Sequence, residues 1–146
     1  MINIIGNNSN KELIDKIKDK SSSIYVNDIC VYGDKTLIQP LNNYSFYISP
    51  QSFFQINIKQ TINLYNEILE YAKPTKEDKI LDLYCGTGTI GIYLSKNCKQ
   101  VLGIEINESA IENAKKNKEL NNIDNIEFKQ GNVSRVLDLN YKTDII

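Results

Sequence analysis

Histidine is absent from this 146-residue chain. Its absence removes both the usual general base at neutral pH and the commonest zinc ligand. Cysteine is scarce as well: the three present, Cys30, Cys85 and Cys98, are odd in number, far apart and without Cys-x-x-Cys spacing. Such a set indicates neither a disulfide framework nor a metal cluster, and no metal site is expected. No apolar run approaches the length of a membrane span, and the opening residues, MINIIGNNSNKEL, contain no signal-peptide core. A cytoplasmic location without a membrane partner is therefore expected. Positive charge is not in excess either, since 17 Lys and Arg face 18 Asp and Glu for a formal net charge of -1. An RNA partner would have to be met by local patches or by protein outside this chain. The lysines at Lys11, Lys16, Lys18 and Lys20, and at Lys115, Lys116 and Lys118, read as solvated helix faces. The abundant Asn, Ile and Lys read as compositional bias and carry no low-complexity function. At this length one complete domain is the ceiling.

What the chain does have is the string LDLYCGTGTIG, Leu81 to Gly91. Ile80, Leu81 and Leu83 supply an apolar strand. Gly86 and Gly88 let the backbone turn sharply and approach a ligand, and a helix begins near Ile90 with its first amides facing back toward that ligand. The spelling Gly86-Thr87-Gly88-Thr89-Ile90-Gly91 also fits the dinucleotide fingerprint. Charge separates the two cofactors. A dinucleotide lays its pyrophosphate against such a turn, where the Asp82 carboxylate would repel it. S-adenosylmethionine carries an ammonium and a sulfonium that an acidic strand end attracts, and a carboxylate that suits the amides of the following helix. Asp82 ahead of the glycines thus favours S-adenosylmethionine. A nicotinamide-dependent oxidoreductase and a methyltransferase-like module without catalysis remain the alternatives.

The organisation supports a cofactor-binding sheet. Residues Lys11 to Lys20 have helical spacing, and Ile24 to Tyr32, Thr36 to Ile38 and Tyr44 to Ile48 read as short strands punctuated by Gly33-Asp34 and by Pro40 to Asn43. A helix over Ile58 to Ala72 is capped by Asn57, with Gln60 at the capping-box position and Ile58, Ile62, Tyr65, Leu69 and Ala72 in one stripe. Strand and helix then alternate: Lys79 to Leu83, Thr89 to Lys96, Gln100 to Ile104, Glu108 to Leu120 and Ile126 to Lys129. This is the pattern of an α/β, Rossmann-like parallel sheet covered by helices.

Glu105 ends the second strand of that sheet, close to the interval of roughly 20 residues at which an acid reaches a ribose diol. It reads as that ribose ligand, with a solvated strand-end acid or a cap for the next helix as the alternatives. Asn132 follows the third strand at the same carboxyl edge, where its amide reads an adenine edge or simply makes a turn. Cys85 lies inside the turn with no histidine or adjacent lysine to lower its pKa, so it reads as a small buried filler rather than a nucleophile.

From about Tyr32 onward the chain resembles the RNA (uracil-5-)-methyltransferases, on FYISPQSFFQIN (Phe46 to Asn57), LDLYCGTGTIG, and VLGIEINESAIENAKKNKELNNIDNIEF (Val101 to Phe128). The first string is the specific one, because other S-adenosylmethionine domains share the glycine turn but not this segment ahead of it. The resemblance implies that the intact enzyme methylates carbon-5 of uridine, with ribosomal RNA as the expected substrate and transfer RNA as the other branch. It further implies that Gln55 contacts S-adenosylmethionine from the preceding segment, that Tyr84 packs on it, that Thr89 lies at the helix start, that Glu105 takes the ribose and that Asn132 sits near adenine.

Members of the family continue with a DPPR strand, a cysteine nucleophile and a glutamate base, and some carry an RNA-binding barrel or an iron-sulfur cluster. None of these is found in this sequence. The chain is therefore expected to be an internal piece: residues 1–48 as the tail of a central catalytic domain, 49–78 as a connecting segment and helix, and 79–146 as the first half of the cofactor domain. No catalytic residue is expected within it. The first strand, Lys79 to Leu83, is expected to be central, with the fourth strand a stub near Thr143 to Ile146. Self-association through that unfinished edge is the corollary.

Overall fold

The computed structural model describes residues 1–6, 11–50, 53–138 and 140–146. Chain order is β1 (Ile2–Ile4), α1 (Lys11–Ile17), a 3-10 turn (Lys18–Lys20), β2 (Ser23–Val26), β3 (Ile29–Gly33), β4 (Leu37–Leu41) and β5 (Tyr44–Ile48). There follow α2 (Ile58–Ala72), β6 (Lys79–Leu83), α3 (Thr89–Ser95), β7 (Gln100–Glu105), α4 (Glu108–Leu120), β8 (Ile126–Gln130) and the short α5 (Val133–Val136). Gln51 and Ser52 of the FYISPQSFFQIN string lie outside the described residues.

The three strands β6, β7 and β8 form a parallel sheet in that order. On the far side of β6, Ile145 bridges Ile80 in parallel, the Leu81 N–H donates to the Ile145 carbonyl at 2.9 Å, and the Lys79 N–H donates to the Asp144 carboxylate at 2.8 Å. The first strand is thus interior, with the second and third on one side and the start of the fourth on the other. Period-two alternation sorts the strand residues between the faces. Ile80, Val101 and Ile126 pack with Ile92, Ile111 and Ala114 under α3 and α4, whereas Leu81, Leu102 and Ile104 pack with Val133 and Val136 on the other side. Each fully buried Val, Leu or Ile side chain contributes about 1.5–3 kcal/mol.

Helix boundaries follow their caps. Asn57 Oδ1 accepts from the Gln60 N–H at 3.2 Å, so α2 starts where that asparagine predicts, and Asn107 Oδ1 accepts from the Ala110 N–H at 3.1 Å at the start of α4. The Gln60 carboxamide does not close the box; its Oε1 accepts from Asn63 instead.

The N-terminal third departs from the sequence expectation. The run Ile24 to Tyr32 is not one strand but the hairpin β2–β3, because Asn27 and Asp28 adopt φ of 48° and 66°. These residue types tolerate the left-handed region that a tight hairpin turn requires. Pro40 does not break its strand: it pairs opposite Ser45 in the two-stranded β4–β5 sheet, where its missing N–H is tolerated at an edge. The turn is confined to Asn42 and Asn43. This hairpin also packs on the parallel sheet, since Leu41, Tyr44 and Phe46 enter the same hydrophobic cluster as Tyr65, Ile92 and Val101.

Candidate cofactor site

The site grows from the carboxyl end of β6. Tyr84 takes a φ of 58°, a left-handed conformation that costs a side-chain-bearing residue about 1–2 kcal/mol, and so directs its ring outward, 75% exposed. Strain held in this way is common at functional sites. The next residue turns back under the sheet. The Cys85 N–H donates to the Ile104 carbonyl at 3.1 Å, extending the β6–β7 ladder, and the Gly88 N–H closes the turn on the Cys85 carbonyl at 2.9 Å.

The glycines of this turn do different things. Gly86, at φ 53°, has open space where a side chain would project, so its backbone is free to be approached. Gly88, at φ 76°, faces the core: an added Cβ would lie 2.4 Å from the Phe128 ring and 3.1 Å from the Ala114 methyl. Gly91 permits close helix-to-strand packing, with the Asp82 carboxylate and the Ile126 and Val101 side chains about its Cα. The lack of a side chain at Gly88 is thus required by packing behind the turn, whereas that at Gly86 leaves open space in front of it.

Gln55, Tyr84, Gly86 and Thr89 line one cavity of about 190 Å³. Its walls come from two distant strings, the segment after β5 and the turn after β6. Glu105 flanks it: Oε2 accepts from the Gly86 N–H at 3.2 Å and Oε1 from the Asn107 N–H at 2.9 Å. The carboxylate thus both caps the chain entering α4 and holds the turn. Asn132 lies two residues past β8 on the same carboxyl edge, where the Gly131 N–H donates to the Glu105 carbonyl at 2.9 Å. Its Oδ1 is engaged locally by the Ser134 N–H and hydroxyl at 3.0 and 2.6 Å, the arrangement of a turn asparagine.

Asp82 is not brought into this cavity. Its carboxylate accepts the Gly91 N–H at 3.0 Å and lines a neighbouring apolar cavity of about 350 Å³ with Ile68, Leu83 and Ile145. Burial pushes its pKa up to about 6, with the Gly91 N–H pulling the other way. Cys85 is buried, and burial, reinforced by the Asp82 and Glu105 carboxylates, raises its pKa, so it stays a thiol. Cys98 is likewise buried and raised, chiefly by desolvation. Among the described residues no cluster of His, Cys, Asp and Glu is arranged to hold a metal ion, and no helix is long and apolar enough to cross a membrane.

The sequence reading missed Phe53, Phe54, Leu64 and Tyr65 as cavity residues. Tyr65, buried in the α2 stripe, shares a 2.8 Å hydrogen bond between its hydroxyl and the Thr89 hydroxyl. A tyrosine within an otherwise aliphatic stripe was the available signal, because a buried phenol needs a polar partner.

A family model described as a methyltransferase domain matches residues 74–146. A Staphylococcus aureus protein named an uncharacterized RNA methyltransferase is 42% identical over 123 residues, covering 83% of this chain and 27% of that protein. A Halalkalibacterium halodurans protein named in the same way is 36% identical over 129 residues, covering 87% of this chain and 28% of that one. The crystal structure of the Pyrococcus abyssi tRNA (uracil-54, C5)-methyltransferase in complex with S-adenosyl-L-homocysteine superposes with a TM-score of 0.76 at 32% identity, over 96% of this chain and 37% of that chain. This chain spans little more than a quarter of the length of the two curated relatives.

Proposed function

The chain belongs to the methyltransferase-domain family, and on that premise we propose that it binds S-adenosylmethionine as part of an enzyme that methylates carbon-5 of uridine in RNA. The observation that carries this reading is the meeting of two distant strings, the Phe53–Gln55 stretch and the Tyr84–Thr89 turn, in one cavity beside the Glu105 carboxylate. The relatives named RNA methyltransferases support the RNA partner, and the printed name and ligand of the Pyrococcus abyssi enzyme support the uracil and the cofactor. Ribosomal RNA is the substrate we assign; methylation assays on ribosomal and transfer RNA separate the two.

The residues fit the cofactor. The front of Gly86 is open, and a carboxylate offers about four lone-pair sites, so Glu105 retains acceptors for a ribose diol after taking two backbone N–H groups. The cavity is smaller than the roughly 300 Å³ at which small-molecule pockets begin, so it suits one end of the cofactor, with Glu105 and Asn132 along the open strand edge for the remainder. Tyr84 supplies a ring to pack on it, Gln55 a polar group and Thr89 a hydroxyl held by Tyr65. Asp82 braces the helix start by holding the Gly91 N–H. When bound, S-adenosylmethionine supplies an electrophilic methyl group.

Carbon-5 of uracil attacks such a methyl only after a thiolate adds at the neighbouring carbon, and a base must then remove the carbon-5 proton. Cys85 and Cys98 are buried thiols with raised pKa, and Cys30 lines a different cavity with Tyr25 and Lys35. The chain by itself is therefore assigned cofactor binding without methyl transfer. Thermal shift tests the reading: S-adenosylhomocysteine at 100 times its Kd should add about 2.7 kcal/mol of stability, with NAD inert. Stabilisation by NAD alone would favour the oxidoreductase alternative, and an effect of neither would favour a module that does not use a cofactor.

A further inference from the structure

Helix α4 and its C-cap carry asparagines four residues apart at positions 113, 117 and 121, and strand β5 with its continuation places Ser45, Tyr47 and Ser49 alongside them. Asn121 Oδ1 accepts from the Ser45 N–H at 2.9 Å while its Nδ2 donates to the Ser45 carbonyl at 2.8 Å. Asn117 Oδ1 accepts from the Tyr47 N–H at 2.7 Å, and Asn113 Nδ2 donates to the Ser49 hydroxyl at 2.9 Å. The register holds because four helical residues rise about 6.0 Å and two strand residues rise about 6.6–6.8 Å, so one helical row meets alternate strand positions. Among the described residues β5 pairs with a strand only along its β4 edge. The amides of α4 take the place of a strand on the other.

The middle rung does something its neighbours do not. Asn117, fully buried, also donates from Nδ2 to the Thr87 carbonyl at 3.1 Å. The Thr87–Gly88 peptide is thereby held at both ends, its carbonyl by Asn117 and its N–H by the Cys85 carbonyl. One amide thus ties the cofactor turn to the strand that precedes, in sequence, the Phe53–Gln55 wall of the same cavity. We propose that Asn117 is a positioning residue for cofactor binding, which fixes the Thr87–Gly88 peptide and sets the spacing between the two walls. This rests on the S-adenosylmethionine reading of the cavity.

The test compares Asn117→Asp with Asn121→Ala. The first keeps an acceptor for the Tyr47 N–H but, ionised, removes the donor to Thr87; the second breaks the bonds to Ser45 and to the Asn117 carbonyl and leaves the Asn117 side-chain bond to Thr87 in place. In the unliganded chain, Asn117→Asp should speed hydrogen exchange of the Gly88 N–H about tenfold at pH 8, the scale of one hydrogen bond, whereas Asn121→Ala should not. By calorimetry well below Tm, Asn117→Asp should bind S-adenosylhomocysteine about tenfold more weakly at pH 8, with recovery in acid as a protonated carboxyl regains a donor. Asn121→Ala should lower Tm but keep affinity within about twofold, the error of such comparisons. Equal Gly88 exchange in wild type and Asn117→Asp, or an equal affinity loss in Asn121→Ala, would overturn the proposal. Should Asn117→Asp fail to fold, the wild-type side-chain amide decides: the Asn117 Nδ2 resonances should shift on saturation with S-adenosylhomocysteine and those of Asn121 should not, and the reverse would refute it. A wild-type chain that binds no S-adenosylhomocysteine overturns the cofactor reading, while Gly88 exchange still judges the Asn117 tie to the turn.

Discussion

The two faces of the turn after β6 are built from the same few residues and answer to different demands. The front holds Tyr84, Gly86 and Thr89 against Gln55 and Glu105, with open space at Gly86. The back holds Gly88 against Phe128 and Ala114, and Gly91 against Ile126, Val101 and Asp82, with no room for a methyl group. A glycine-rich string therefore combines open space at one glycine with a packing requirement at others, and its spelling does not say which glycine meets which. The carboxylate of Asp82 braces the helix start behind the turn, by accepting the Gly91 N–H.

Substitution at the glycines puts this contrast under the greatest strain. Gly88→Ala combines a positive φ with a clash against Phe128 and should cost about 3 kcal/mol or more in urea unfolding, enough to unfold a marginal chain. Gly86→Ala meets only the backbone penalty of about 1–2 kcal/mol and should retain the fold. Equal losses would erase the distinction between front and back.

Asp82 offers a test through pH. Its folded pKa, pushed up to about 6, exceeds its unfolded value, so the native state binds the proton more tightly. Its contribution is fully present below about pH 4 and is lost as pH rises through about 6, amounting to about 2–3 kcal/mol. Asp82→Asn preserves an acceptor for Gly91 and should flatten that part of the stability profile, leaving the variant more stable than wild type at pH 7. Its affinity for S-adenosylhomocysteine should stay unchanged; a large loss at full stability would return Asp82 to direct contact with the cofactor.

On the front, Glu105→Ala should weaken S-adenosylhomocysteine binding by about 1–3 kcal/mol in calorimetry, and Glu105→Gln by less, since one amide oxygen still accepts. Unchanged affinity in both would remove the ribose role. The smallest effect is expected at Cys85→Ala, about 1 kcal/mol of stability from a small void with binding retained.

Much of the parallel sheet was legible because periodicity and caps agree there. Asn57 and Asn107 mark helix starts, and Lys79 to Leu83, Gln100 to Ile104 and Ile126 to Lys129 carry the buried strand residues. The N-terminal third was less legible because Asn27 and Asp28 turn the chain without a glycine, and no apolar break marks the place. At the site, Gln55, Tyr84, Gly86 and Thr89 were placed by motif and by resemblance, whereas the burial of Gly88 depends on Phe128, forty residues away in sequence. The asparagines show the limit most clearly. Read as composition they carry nothing, yet Asn117 and Asn121 hold a strand edge, and only the packing of α4 on β5 reveals it.

Backbone amide NMR of the chain titrated with S-adenosylhomocysteine tests the front-face assignment most directly. Shifts are expected to centre on Gln55, Tyr84, Gly86, Thr89 and Glu105 and to extend to Asn132, with Ile68, Leu83 and Ile145 around the neighbouring cavity little affected. Saturable shifts centred on Ile68, Leu83 and Ile145, with Gly86 and Glu105 unmoved, would contradict it.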